Sequence, residues 1–146
     1  MEKSLMARAV DLLSRREYSR RELVTRLRPH AQSAEELEDV LSRLAERAWQ
    51  SDERFAEQFS RSKADKYGSL RLRQAMREKG LSNELIEQAL AGQDDLATAR
   101  AVWQRKFGTL PATPQEKARQ LRFLASRGFP QEIIRKILAG SLEDSE

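Results

Sequence analysis

Two stretches decide the architecture of this 146-residue chain: Lys79-Gly80-Leu81-Ser82-Asn83-Glu84-Leu85-Ile86-Glu87-Gln88-Ala89-Leu90-Ala91-Gly92 and Arg127-Gly128-Phe129-Pro130-Gln131-Glu132-Ile133-Ile134-Arg135-Lys136-Ile137-Leu138-Ala139-Gly140. They coincide at a shift of 48, which also pairs Phe55 with Trp103, Phe59 with Phe107 and Met76 with Leu124. At a shift of 49 the opening of the chain joins, with Met6 on Phe55, Val10 on Phe59, Leu23 on Leu72, Leu27 on Met76 and Leu41 on Leu90. A period of this length identifies a repeat architecture.

Within each repeat the apolar spacing is helical. Leu96, Ala99, Trp103 and Phe107 mark one face, and Gly108 is a C-terminal stop. Thr113-Pro114-Gln115-Glu116 supplies an N-cap, a proline at the first helical position and a capping-box glutamate. Ser19-Arg20-Arg21-Glu22 and Ser33-Ala34-Glu35-Glu36 read as capping boxes, and Ser82 caps another helix. Leu121, Leu124 and Ala125 run to Gly128, and Ile133, Ile134, Ile137 and Leu138 run to Gly140. The expected fold is all-α, an elongated curved solenoid of three tandem three-helix repeats of about 48 residues each. The expected divisions are residues 1–50, 51–93 and 94–140, with 141–146 a disordered tail.

Composition sets the functional limits. There is no cysteine and a single histidine, His30, so thiol chemistry, a histidine metal site and a Ser–His–Asp triad in each repeat are excluded. Glycine loops for phosphates, H-E-x-x-H and G-x-S-x-G are also missing. Asp52-Glu53 and Asp94-Asp95 read as helix starts, where carboxylates suit the dipole. No catalytic residue, metal or cofactor is expected. The opening Met1-Glu2-Lys3-Ser4 does not read as a signal peptide, no apolar run reaches membrane-spanning length, and a cytoplasmic monomer is expected.

Charge is segregated. Residues 8–28 hold seven basic side chains against three acids, 61–79 hold seven against two, and 97–138 hold nine against two. Between the first two islands, residues 35–57 carry eight acids and three arginines. Solvated helix faces account for any single arginine, but a basic helix recurring in each repeat marks a surface for a polyanion or acidic partner. The candidate surface comprises Arg61, Lys66, Arg71, Arg73, Arg77, Lys117, Arg119, Arg122 and Arg127. Phe55, Phe59, Trp103 and Phe107 are expected in the core, Trp49 in packing between repeats, Tyr18 and Tyr67 in exposed contacts, and His30 on the surface.

Asp52-Glu53-Arg54-Phe55-Ala56, Lys66-Tyr67-Gly68 with Arg71 and Arg73, and Lys79-Gly80-Leu81-Ser82 resemble the central block of the RecX family of recombinase regulators. Lys106-Phe107-Gly108, Phe123-Leu124 and Arg127-Gly128-Phe129 before Ile133-Ile134 resemble that family's third repeat. Ala9 to Leu13, Tyr18-Ser19-Arg20-Arg21-Glu22-Leu23 and Leu27 are similar to its first. The resemblance spans roughly residues 7–140. It departs at Arg28-Pro29-His30-Ala31, where the other repeats have Lys79-Gly80 and Arg127-Gly128. The resemblance implies a non-catalytic protein that binds the RecA recombinase and its DNA filament. It would inhibit ATP hydrolysis, strand exchange and co-protease activity, restraining recombination and the SOS response. Some such proteins also bind single- or double-stranded DNA directly. The alternatives are a basic helical DNA-binding protein acting without RecA, with a basic middle helix imitating helix-turn-helix geometry, and a helical scaffold for another acidic protein.

Overall fold

The computed structural model describes residues 3–140. Among them are nine α-helices, one 3-10 turn and no strand: α1 (Leu5–Leu13), α2 (Arg20–Leu27), the 3-10 turn Arg28–His30, α3 (Ala34–Glu46), α4 (Asp52–Lys63), α5 (Ser69–Glu78), α6 (Asn83–Leu90), α7 (Asp95–Lys106), α8 (Pro114–Ser126) and α9 (Gln131–Ile137). The tail expected over 141–146 lies outside the described residues.

The helix ends follow the sequence signals. Ser19 Oγ accepts from the Glu22 N–H and the Glu22 carboxylate accepts from the Ser19 N–H, closing the capping box of α2. Thr113 caps α8 through the Glu116 N–H, with Pro114 at the first position. Ser82 Oγ accepts from the Leu85 N–H, and Asp94 caps α7 through the Ala97 N–H. Each cap satisfies a backbone donor that has no partner within its helix. Where the later repeats turn at a positive-φ glycine, Gly80 or Gly128, the first continues as the 3-10 turn Arg28–His30 with Pro29 inside it.

The chain divides into two compact units, Met1–Phe59 with Met76–Gln88, and Ser60–Ala75 with Ala89–Glu146. The division runs through α4, α5 and α6 rather than between repeats. In the first unit, α1, α2 and α3 enclose a core of Leu5, Ala9, Tyr18, Leu23, Leu27, Leu37, Val40, Leu41 and Leu44. In the second, α7, α8 and α9 enclose Ala99, Val102, Leu124, Phe129, Ile134, Ile137 and Leu138. There the buried Gln120 accepts from Trp103 Nε1 at 2.8 Å and donates to the Thr109 carbonyl at 3.1 Å, so its burial leaves no polar atom unpaired.

Several aromatic placements differ from expectation. Phe55 is in the core and Trp103, half-buried, packs against the second core, whereas Phe59 and Phe107 are only half-buried. Phe59 stacks on Phe55 at 5.7 Å and Phe107 meets Phe123 edge-on at 5.4 Å. Trp49, expected between repeats, is 47% exposed with the Arg47 guanidinium over its ring. It follows Ala48, which takes a left-handed φ of 58° just past the end of α3. Tyr18, expected at an exposed contact, is only 4% exposed because it packs into the first core and Arg16 covers its ring at 3.6 Å.

Each unit contains one junction between successive repeats, built the same way. In the first, Asp52 Oδ1 accepts from the Arg20 N–H (2.8 Å) and from Gln50 Nε2, which also donates to the Tyr18 carbonyl. In the second, Asp95 Oδ1 accepts from the Ser69 N–H (2.9 Å) and from Gln93 Nε2, which also donates to the Tyr67 carbonyl. A second contact accompanies each. Arg21 lies over Gly80 and donates to the Arg77 carbonyl at 3.3 Å, and Arg71 lies over Gly128 and donates to the Ser126 carbonyl at 3.1 Å. A Cβ on Gly128 would come within 2.3 Å of the Arg71 Cβ, and its φ of 92° already favours glycine. Glu22 adds an ionic link to the first junction, reached by Lys79 at 2.9 Å and Arg16 at 3.2 Å.

Two predictions follow from this packing. Leu124, fully buried, should cost about 2–5 kcal/mol on replacement by alanine, measured by denaturant unfolding, and an unchanged curve would refute its place in the core. Burial acts to raise the Glu22 carboxyl, but hydrogen bonds from Lys79, Arg16 and the Ser19 N–H outweigh it and hold the group below its ordinary range. The ionised form therefore favours folding above the unfolded carboxyl's pKa of about 4.3, and this contribution disappears as pH falls through the lower folded value. In a melting series from neutral pH downward, Glu22→Gln should show a shallower acid loss of stability than wild type.

Candidate functional site

The second unit carries a cleft of about 520 Å³ lined by Lys66, Tyr67, Val102, Arg105, Lys106, Phe123 and Arg127. Four of these seven side chains are cationic and none is a carboxylate, so the cleft concentrates positive potential. Lys66 and Tyr67 lie in the turn after α4, where their N–H groups donate to the Lys63 carbonyl. Val102, Arg105 and Lys106 come from the end of α7, Phe123 from α8, and Arg127 from its C-cap. Arg105 and Lys106 also stand in the last turn of α7, where cations suit the helix dipole.

Backbone pairing fixes the wall. The Gly68 N–H donates to the Arg127 carbonyl at 2.8 Å, and the Leu70 N–H to the Gly128 carbonyl at 3.0 Å. The turn after α4 is thereby bound to the end of α8, at a separation only glycine permits. A Cβ on Gly68 would lie 2.4 Å from the Gly128 carbonyl oxygen.

The aromatic rings hold cations. Arg71 lies over Tyr67 at 4.1 Å, and Arg127 lies 5.7 Å from Tyr67 and 4.9 Å from Phe123. Lys106 approaches the Phe123 ring at 5.5 Å. Each contact is worth about 0.5–1 kcal/mol at exposed sites and reduces the freedom of a long cationic side chain. Ring faces occupied in this way are poor platforms for stacking a base, so the chemistry on offer is anion recognition by ordered cations.

The sequence-derived candidates divide accordingly. Lys66 and Arg127 line the cleft. Arg119 and Arg122 are exposed on α8, and Arg119, Phe123 and Arg127 share one row at i,i+4 spacing. Lys117 is half-buried on the same helix. Arg71 is exposed but its guanidinium is committed to Tyr67 and the Ser126 carbonyl, which makes it a packing residue as well as a cation. Arg73 is half-buried on α5, and Arg61 is exposed on α4. Arg77 is exposed and belongs to the first unit, so it is not gathered with the cleft residues. Arg105 and Lys106 were not among the candidates. Both lie in the third basic island, and the sequence signal for them was their place beside Phe107-Gly108 at the end of a helix. Tyr67, expected at an exposed contact, is half-buried and lines the cleft. Among the described residues no helix is long and apolar enough to cross a membrane, and no cluster of three or more acidic or histidine side chains forms a metal site.

Comparison with known proteins gives a consistent assignment along the chain. Models of the RecX first, second and third three-helix domains match residues 6–44, 51–90 and 93–138. The chain is 59% identical over 142 residues to the regulatory protein RecX of Chromobacterium violaceum, covering 97% of this chain and 93% of that protein. It is 46% identical over 144 residues to the regulatory protein RecX of Neisseria meningitidis serogroup B, covering 98% and 94%. The fold is similar to the crystal structure of RecX from Lactobacillus salivarius, with a TM-score of 0.78 at 18% identity over 92% of each chain. A further crystal structure of regulatory protein RecX aligns with a TM-score of 0.79 at 20% identity, over 91% of this chain and 70% of that one.

The cleft wall generates its own prediction. Gly68→Ala forces two backbones apart, and overpacking of this kind costs about 1–3 kcal/mol. The full chain should melt correspondingly lower, and a variant as stable as wild type would show that the approach of Gly68 to Gly128 is not required.

Proposed function

The chain belongs to the RecX family of regulatory proteins, and on that premise we propose that it binds the RecA recombinase and its nucleoprotein filament through the basic surface of the second unit. Binding would inhibit ATP hydrolysis, strand exchange and co-protease activity, and so moderate recombination and the SOS response in the cytoplasm. The protein would act by occupancy as a monomer and catalyse no reaction itself. The observation that carries this reading is the cleft with four cations and no lining carboxylate, in a chain 59% identical to a protein named as a RecX regulator.

The contact surface then comprises Lys66, Arg105, Lys106 and Arg127 in the cleft, with Arg119 and Arg122 extending it along α8. Lys117, Arg61 and Arg73 are secondary candidates, and Arg77, in the first unit, falls outside this surface. Arg71 supports the surface through Tyr67 and Ser126, so its substitution would confound binding with stability. A guanidinium paired with a carboxylate or phosphate contributes about 1.5–3 kcal/mol as a charged hydrogen bond.

RecA's single-strand-dependent ATP hydrolysis, titrated with the protein, tests the proposal. Wild type should inhibit at sub-stoichiometric amounts. Arg119→Glu/Arg122→Glu, both on exposed α8 positions, should abolish inhibition while circular dichroism stays unchanged, and Arg122→Glu/Arg127→Glu should do the same. Inhibition by both variants at wild-type concentrations would remove the α8 surface from the contact. Direct DNA binding is the second reading, favoured by the excess of cations. It requires steep weakening with salt and indifference to RecA, so DNA affinity without inhibition would establish it in place of the first.

A further inference from the structure

The first basic island, residues 8–28, has no part in the surface just proposed, and six of its seven arginines fall into two groups. Arg16 and Arg21 are tied into the first junction, and Arg20 reaches Glu38 at 2.7 Å. Arg8, Arg15 and Arg26 instead line a concavity of about 240 Å³ together with Lys3, Asp11 and His30, over Leu12 and Leu27.

Helix geometry and the local turn build this pocket. Arg8, Leu12 and Arg15 recur along one face of α1 and its continuing turn, whose Arg15 N–H donates to the Leu12 carbonyl. Arg26 lies in the last turn of α2. His30 is delivered by the 3-10 turn that replaces, in this repeat alone, the glycine turn of the other two. The departure of Arg28-Pro29-His30 from the repeat pattern thus has a consequence in space.

Among the described residues that line it, four cations, Lys3, Arg8, Arg15 and Arg26, face one carboxylate, Asp11. Asp11 is held by Lys3, and that hydrogen bond together with the charges of Lys3 and, to a lesser degree, Arg15 lowers the Asp11 carboxyl from its ordinary range. Among the described residues, Arg8, Arg15 and Arg26 form no ion pair, although Arg26 stands 5.9 Å from the Tyr18 ring. Three guanidinium forks and an imidazole therefore face one small volume. A single carboxylate offers two oxygens and one charge, too few for three forks. A phosphoryl group offers three or more oxygens and up to two charges.

From this geometry we infer that the first repeat carries a site for a compact, multiply charged phosphoryl anion, bound by Arg8, Arg15 and Arg26 with His30 as an additional donor. The site does not rest on the RecA reading, since none of its lining residues is among those proposed to contact RecA.

The test is an amide chemical-shift titration of the full chain with sodium pyrophosphate, against sodium chloride matched for ionic strength. Saturable shifts confined to the first repeat, around residues 8–30, are expected with pyrophosphate alone. Arg8→Ala/Arg15→Ala should bind about tenfold or more weakly, the expected loss for two charge-assisted contacts. If that variant misfolds, Arg26→Ala at an exposed position provides the same comparison. Shifts that rise without saturation, that chloride reproduces, or that persist undiminished in the folded variant overturn the inference. A dT oligonucleotide distinguishes the source of the phosphate. No displacement of pyrophosphate from these residues supports a site for compact free phosphoanions, whereas displacement would assign the site to a phosphodiester strand and overturn the compact-anion inference.

Discussion

A carboxylate from one repeat closes the first helical N–H of the second helix in the repeat before it, and the rest of the packing is arranged around that contact. Asp52 serves α2 through the Arg20 N–H, and Asp95 serves α5 through the Ser69 N–H. Each carboxylate meets the positive end of a helix and satisfies a donor that the helix cannot satisfy internally. Gln50 and Gln93 then bind the preceding Tyr18 and Tyr67 carbonyls with the same amide group that holds the aspartate. Helices of 7 to 13 residues form poorly alone, so contacts of this kind do much to define each repeat.

The arginines over the glycines complete the junctions and limit which cations remain for a partner. Arg21 and Arg71 sit where Gly80 and Gly128 leave room, and each donates to a helix-terminal carbonyl. In the second unit the same arrangement orders the cleft, because Arg71 and Arg127 share the Tyr67 ring. Packing and recognition are thus coupled in the turn Lys66-Tyr67-Gly68: its glycine fixes the wall, its tyrosine orders the guanidinia and its lysine lines the cleft.

How much was legible differs between backbone and surface. The Ser19–Glu22 capping box, the N-caps at Ser33, Ser82 and Thr113, the glycine stops and the apolar faces of α8 and α9 could be read directly, because they arise from local backbone demands and a 3.6-residue period. The boxes expected at Ser33 and Thr113 do not close, since Glu36 and Glu116 accept from the Gln32 and Ala112 N–H instead. The departure at Arg28-Pro29-His30 was also legible as a break in pattern, although its 3-10 form was not. The site was legible only as islands of charge. Lys66 and Arg127 were among the candidates, whereas Arg105 and Lys106 were not, because the end of α7 meets the turn after α4, some 40 residues earlier, only in the folded chain, where Arg105 donates to the Asp65 carbonyl and Thr98 to the Ala64 carbonyl. Tyr18 misled for a related reason: a tyrosine beside arginines reads as exposed until a guanidinium covers it.

By itself the sequence determined the number of repeats, the helical class, the principal helix ends and the excess of positive charge, all of which follow from periodicity, caps and composition. Tertiary structure decided which charges are consumed and which are available. Arg16, Arg21 and Arg71 are committed to a carboxylate, helix-terminal carbonyls or aromatic rings. Arg119 and Arg122 are exposed on α8, and Arg8, Arg15 and Arg26 face a concavity. These arginines are chemically identical in the sequence. What separates them is whether the fold brings an acceptor or a ring face within reach, and that is fixed only when residues distant along the chain meet.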